Sequence, residues 1–276
     1  MHHKPHEICG VILSGGKGSR LGEMSGPKTL LKVGKQTLLE HQIESFQELG
    51  IRKVVLVVSQ INAEIEAIAE RADLEVSLVL QPYPDGITSA LLLASHEISD
   101  VFLLFLGDIY FETSGLPALV ESYEHHQSLI VASKLCSEFE EIEQNFLLLT
   151  DGPRINRLIE KPSVPLSPWK GIGIYVLNQE FLAFLTSLKS RRKKFPLGIT
   201  ESLQSYLDAG HEIYHEPMAI QDFNINTLDD LDRCRRSLKA ANREDSNSEE
   251  LTRQGPDWTF VGFEDQLKPA PHERDN

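Results

Sequence analysis

Apolar stretches with no polar alternation constrain this chain most: Ile8-Cys9-Gly10-Val11-Ile12-Leu13, Lys53-Val54-Val55-Leu56-Val57-Val58 and Val101-Phe102-Leu103-Leu104-Phe105-Leu106. A strand that is apolar at consecutive positions has no side to turn toward water, so both its faces need cover. The cover lies in between. Thr37 to Leu49 carries Leu38, Leu39, Ile43, Phe46 and Leu49 at helical spacing, closed by Gly50. Asn62 to Arg71 reads as a second helix with Asn62 as its N-cap, and Val76 to Leu80 as a further strand. Strands alternating with helices at this interval predict right-handed βαβ units. The expected architecture is a Rossmann-like α/β three-layer sandwich around a mostly parallel central sheet. Ligands of such sheets sit beyond the carboxyl ends of the strands, so the loops there are where chemistry is sought.

The first of those loops is Ser14-Gly15-Gly16-Lys17-Gly18-Ser19-Arg20. Three glycines let the backbone turn tightly and bring N–H groups close to an anion, with two cations beside them. Neither common phosphate motif fits, since both G-x-x-x-x-G-K-[ST] and G-x-G-x-x-G are absent. Pro27-Lys28 then returns a lysine to the same neighbourhood. The loop after the third strand, Gln81 to Ala90, is fixed by two prolines and Gly86. Gln81 has both a donor and an acceptor with which to read a base edge; a rigid turn capping the helix from Ile87 to Ile98 is the alternative. The most apolar strand ends at Gly107-Asp108. A carboxylate beside a phosphate cradle is a natural partner for a hard divalent cation, or it caps the next turn.

Together, G-G-x-G-[ST]-R-[LM] after a first strand and P-K-x-L-L-x-V after it resemble the sugar-1-phosphate nucleotidyltransferases, which form nucleoside-diphosphate sugars. The resemblance implies a fold like that of GT-A enzymes. It also implies that Leu13, Gly15, Gly16, Gly18, Ser19, Gln81 and Gly86 bind the nucleotide. Arg20, Lys28 and Asp108 would carry the catalysis, with magnesium on Asp108. A later hairpin around Asp151-Gly152 delivers Glu160-Lys161-Pro162, which resembles the family's sugar-phosphate corner, and Gly171 begins a strand similar to one on which a hexose lies. Two departures stand out. Asn145-Phe146 occupies the start of the hairpin, where the family often has a glycine. Further on, aligning Thr227 and Asp230-Leu231 with the family's D-x-x-T-P-E-D-L puts Asn224 at the second metal position, with Asp222 two residues earlier on the same strand face.

The expected reaction couples a nucleoside triphosphate to a sugar 1-phosphate with release of pyrophosphate. A binding subunit that does not turn nucleotide over, or transfer to a non-sugar phosphate such as choline phosphate, are the alternatives. A net charge of -14 argues against nucleic acid as a partner. It also requires the positive field for a triphosphate to be local. Cys9, Cys136 and Cys234 lack metal-ligand spacing and suit a reducing cytoplasm, and no apolar stretch reaches membrane-spanning length. Self-association is compatible with the sequence. One nucleotidyltransferase domain is expected over residues 6–241, followed by a polar acidic tail, 242–276, with an apolar island at Trp258 to Phe263. Glu138 to Glu143 reads as an exposed loop, and Ser190 to Lys194 as a solvated basic cluster.

Overall fold

The structure is a computed structural model that describes residues 8–15, 26–83, 85–164, 166–191 and 195–253, with side chains up to 241. Contacts divide the chain into Met1–Arg235 and Arg236–Asn276. The first unit contains the sheet and the site. Of the second, the described part is helical.

Strands β1 (Cys9–Ser14), β4 (Lys53–Val58), β5 (Glu75–Leu80) and β6 (Val101–Leu106) form the parallel half of a nine-stranded sheet, in the order β5-β4-β1-β6. The other half runs β11 (Trp169–Asn178), β8 (Leu129–Leu135), β12 (Ile213–Pro217), β10 (Arg154–Glu160) and β9 (Phe146–Asp151). Strands β11 and β10 oppose the rest, so the sheet is mixed in its second half. Two short ladders stand outside it: β2 (Lys32–Val33) with β3 (Gln36–Thr37), and β7 (Ile109–Phe111) with β13 (Asp222–Asn224).

Strand alternation divides the core into two layers. Ile12, Leu56, Leu103 and Phe105 face one cluster, shared with Leu39, Ile43 and Phe46 of α1 (Leu38–Glu48), Ile65 of α2 (Ala63–Arg71) and Leu119 of α4 (Leu116–His126). Their neighbours Val11, Val55, Phe102 and Leu104 face the other. There they meet Leu91 of α3 (Ile87–Ala94), Phe181 and Leu185 of α6 (Gln179–Arg191) and Leu203 of α7 (Ile199–Asp208). This is the two-faced cover that the apolar strands require. Caps fix the helix starts as read from sequence. Thr37 and Glu40 form a reciprocal capping box on α1, and Asn62 accepts from the Ile65 N–H on α2.

Three boundaries differ from expectation. Helix α3 ends at Ala94 rather than Ile98. Residues 139–143 form α5 (Phe139–Glu143) rather than a loop, because Ile142 is buried and Glu141 is held by a buried lysine described below. The closing helix α8 runs Leu228–Arg253, beyond the expected end at 241. Its polar continuation contains no glycine or proline until Gly255-Pro256, so nothing local stops it. The apolar island at 258–263 lies outside the described residues.

Candidate active site

The carboxyl ends of β1, β5 and β6 enclose a cavity of about 320 Å³, and seven of the residues singled out in the sequence line it: Leu13, Gly15, Lys28, Gln81, Gly86, Asp108 and Asn224. Gly16, Gly18, Ser19 and Arg20 lie outside the described residues. Gly107 makes the close packing of β1 and β6 feasible at this point, since a Cβ there would sit 2.1 Å from Ser14 Oγ. Gln81 is 5% exposed, and its Nε2 donates to Asp85 Oδ1 at 3.0 Å and to the Gly86 carbonyl at 3.4 Å. Ser89 braces the same loop by donating to Asp85 Oδ2 at 3.0 Å. Gly86 has φ +146, a conformation that L side chains rarely adopt.

Lys28 Nζ lies 3.3 Å from Asp108 Oδ2 and donates to Asn226 Oδ1 at 3.0 Å. From there a chain of amides continues. Asn226 Nδ2 donates to Asn224 Oδ1 at 2.9 Å, and Asn224 Nδ2 to Asn145 Oδ1 at 3.3 Å. The backbone ties the same groups together, since Ile225 N–H donates to the Asp108 carbonyl at 2.8 Å. Asn226 itself is placed by the start of α8, where Asp230 accepts from the N–H groups of Asn226 and Thr227. Burial alone would raise the Asp230 pKa, but Arg233, Thr227 and those N–H groups outweigh it and hold the carboxyl below its ordinary range.

Asn224, with Ile87 and Leu106, also lines a larger cleft of about 1080 Å³, whose walls include Asn145, Phe146, Glu160, Lys161 and Gly173. Glu160 accepts from Thr200 Oγ1 at 2.6 Å. Lys161 adopts φ +44, unusual for a lysine, and its N–H is held by the Asn145 carbonyl at 2.8 Å. The hairpin therefore places its Glu-Lys pair through Asn145, the residue that also ends the amide chain.

Two expected site residues are placed elsewhere. Gly171 is covered by the Phe146 ring and is absent from the cleft wall, where Gly173, with φ +78, stands instead. Asp222 borders the cleft, but its carboxylate is already taken: Lys170 Nζ lies 2.9 Å from Oδ2 and Lys134 Nζ 3.2 Å from Oδ1. Lys170 is almost fully buried and also meets Glu141 at 3.2 Å. Burial opposes its charge, yet Asp222 and its other acidic neighbours prevail and raise its pKa. The clamp joins β13 to β8 and β11. Asn226, Thr200 and the two lysines were not singled out from sequence, and Asn145 stood out only as a departure from the family pattern. Only the alternation of Asn224 and Asn226 along an extended segment offered a signal for any of them.

Among the described residues no three His, Cys, Asp or Glu side chains group as a metal site. Asp108 and the Asn224 amide oxygen nevertheless suit magnesium. That ion takes hard oxygen ligands and is commonly held by one or two protein groups, water and substrate phosphates.

A family model described as nucleotidyl transferase matches residues 9–257. The chain belongs to the nucleotidyl transferase family. A low-salt glycan biosynthesis nucleotidyltransferase of Haloferax volcanii is 30% identical over 212 residues, covering 74% of this chain and 58% of the relative. A bifunctional sugar-1-phosphate nucleotidylyltransferase/acetyltransferase of Sulfurisphaera tokodaii is 28% identical over 194 residues, covering 70% of this chain and 46% of that one. The chain thus spans about half the length of these relatives. Among solved structures, an inositol-1-phosphate CTP transferase from T. maritima superposes with a TM-score of 0.71 at 19% identity, covering 83% of this chain and 93% of the other, which establishes the shared fold. No helix among the described residues is long and apolar enough to cross a membrane.

Proposed function

We propose that the chain is a sugar-1-phosphate nucleotidyltransferase: it joins a nucleoside triphosphate to a sugar 1-phosphate, giving a nucleoside-diphosphate sugar and pyrophosphate. The observation that carries this reading is that Asn224, Ile87 and Leu106 line both cavities, with Lys28 and Asp108 lining the smaller one. A triphosphate in the smaller cavity and a phosphorylated acceptor in the cleft would bring their reacting phosphates together at the shared residues. The family match and the names of the relatives agree with it.

In the reaction, an oxygen of the acceptor phosphate attacks the α-phosphorus. The bond from that phosphorus to the bridging oxygen breaks, and the electron pair leaves with pyrophosphate. A phosphate monoester is ionised at neutral pH, so no protein base is needed and the work is orientation and charge neutralisation. Lys28 supplies a fixed cation where charge develops on the α-phosphate, and Asn226 holds its ammonium in place. Gln81 and Gly86 position the base, while Arg20 and the glycines around it receive the phosphates. Glu160 and Lys161 orient the acceptor. Asp108 and Asn224 would hold magnesium, which when bound neutralises charge on the phosphates.

A second reading is favoured by Asn224, which removes a negative charge from the metal position: a subunit that binds nucleotide without turning it over. Pyrophosphate release with magnesium, across a panel of triphosphates and phosphorylated acceptors that includes choline phosphate, separates the two. Tight nucleotide binding with silence across the panel selects the binding subunit.

A further inference from the structure

Thr88 lies in the first turn of α3, next to the loop that carries Gly86, and it is fully buried. Its hydroxyl grips a peptide 109 residues further along the chain: Oγ1 donates to the Leu197 carbonyl at 3.0 Å and accepts from the Leu197 N–H at 3.0 Å. Leu197 is itself buried, where an unpaired N–H or carbonyl is costly. Packing reinforces the contact, since a Cβ on Gly86 would lie 3.0 Å from Pro196 Cγ.

From Leu197 the chain passes directly into the cleft that receives the acceptor in the proposed reaction. Gly198, Ile199 and Thr200 line it, and Thr200 Oγ1 donates to Glu160 at 2.6 Å. Helix α7 starts on Gly198 with no side-chain cap among the described residues, so its first turn lacks the usual local fixing. The grip of Thr88 on Leu197 supplies that fixing from across the fold. The nucleotide side of α3 has bonds of its own. Gln81 Nε2 holds Asp85 and the Gly86 carbonyl, and the Ala90 N–H donates to the same carbonyl at 3.2 Å.

We infer that Thr88 is a positioning residue for the acceptor: by holding Leu197 it sets the first turn of α7, and through Thr200 it sets Glu160 against the acceptor. This rests on the proposed function. A residue that follows the nucleotide loop in sequence therefore acts at the other end of the site. Removing its hydroxyl strands two buried backbone groups, and the segment relieves them by shifting, which carries Thr200 away from Glu160.

The test compares Thr88→Val, which keeps the shape and loses the hydroxyl, with Thr88→Ser, which keeps the hydroxyl. It measures kcat and KM for a sugar 1-phosphate that the wild type turns over, with nucleotide Kd and the thermal midpoint alongside. Thr88→Val should raise the acceptor KM about tenfold with kcat and nucleotide Kd within about twofold, the signature of lost acceptor binding rather than lost chemistry. Thr88→Ser should return that KM to within about twofold of the wild type. Thr200→Val should raise the same KM, and combining it with Thr88→Val should add little, because both lie on one path. Where Thr88→Val does not fold, Thr88→Cys, with a weaker donor and acceptor in the same place, gives the same readout. An unchanged acceptor KM in the folded Val or Cys variant overturns the inference. So does an equal loss for both substrates that Thr88→Ser fails to reverse, which marks a merely structural role, and so does full additivity with Thr200→Val. Silence of the wild type with every sugar 1-phosphate, with nucleotide bound, overturns the proposed function and this inference with it; activity with an unmoved KM overturns the inference alone.

Discussion

The two halves of the proposed site, a nucleotide end and an acceptor end, are built differently. The nucleotide end hangs on the parallel strands β1, β5 and β6, whose carboxyl ends bring Leu13, Gly15, Gln81 and Asp108 into one cavity by topology alone. The acceptor end hangs on contacts across long sequence separations: Asn145 with Asn224, Phe146 with Gly171, and Lys134 and Lys170 with Asp222. A strand end in a parallel sheet is a stable platform that tolerates change in any one side chain. A three-residue strand such as β13, which forms a two-stranded ladder with β7, depends on its side-chain clamps. The nucleotide end should therefore fail through lost chemistry, and the acceptor end through lost position.

The largest expected effect tests the first claim. Asp108→Ala should lower kcat by about a thousandfold or more, the scale of removing a charge-organising group from a preorganised site. The thermal midpoint and nucleotide Kd measured without metal should change little. A nearly normal rate would show that Asp108 is no metal ligand. Lys170→Met tests the second claim. It leaves Asp222 with Lys134 as its remaining lysine partner, so the cost by urea denaturation should fall below the about 3–5 kcal/mol of a fully stranded buried charge. The double variant Lys170→Met/Asp222→Leu should recover part of that stability, because it removes the half-paired charge. If the single variant is as stable as the wild type, β13 does not need its clamp and the contrast between the two ends is wrong.

A smaller effect sits at the join. Asn226→Ala frees Lys28 from its amide partner and interrupts the chain to Asn145. Turnover should fall by about tenfold through kcat, the size expected when a positioned cation loses its orientation. The KM for nucleotide should stay near its wild-type value. A change confined to KM would place Asn226 in nucleotide binding instead.

The same contrast explains what could be read from the chain. The cavity residues at β1, β5 and β6 were legible because a glycine turn or an acidic residue after an apolar strand has one location in this fold. Asn62 was legible as a cap because capping is a contact of three or four residues' range. The seat of Phe146 on Gly171 was not legible, since the two residues meet only when β9 crosses to β11. Asp222 read as a spare metal ligand because its lysines lie 88 and 52 residues away in sequence. The helix at 139–143 was missed for a related reason: Ile142 and Glu141 acquire their burial and their partner only from the folded sheet.

The smallest expected effect compares the halves through one histidine in each, half-buried His41 and buried His215. His41, on α1, contacts the Phe111 carbonyl through Nε2 at 2.7 Å; His215, on β12, contacts Ser133 Oγ through Nδ1 at 2.7 Å and the Gly152 carbonyl through Nε2 at 3.1 Å. Burial lowers the pKa of both below the ordinary 6.5. The unfolded chain then binds protons that the folded one refuses. Stability is fully present above about pH 6.5 and is lost as pH falls from there through the lower folded values. For His215 the geometry also assigns the neutral tautomer: Nε2–H donates to the Gly152 carbonyl, so Nδ1 accepts from the Ser133 hydroxyl, and a second proton removes that acceptor. His215→Gln should therefore flatten the fall in Tm between neutral and mildly acidic pH, by less than the Lys170→Met effect, and His41→Gln should do the same for the nucleotide half. If His215→Gln leaves the slope intact while His41→Gln abolishes it, the acid-sensitive element is the packing of α1 on β7, and the nucleotide end is the less robust of the two.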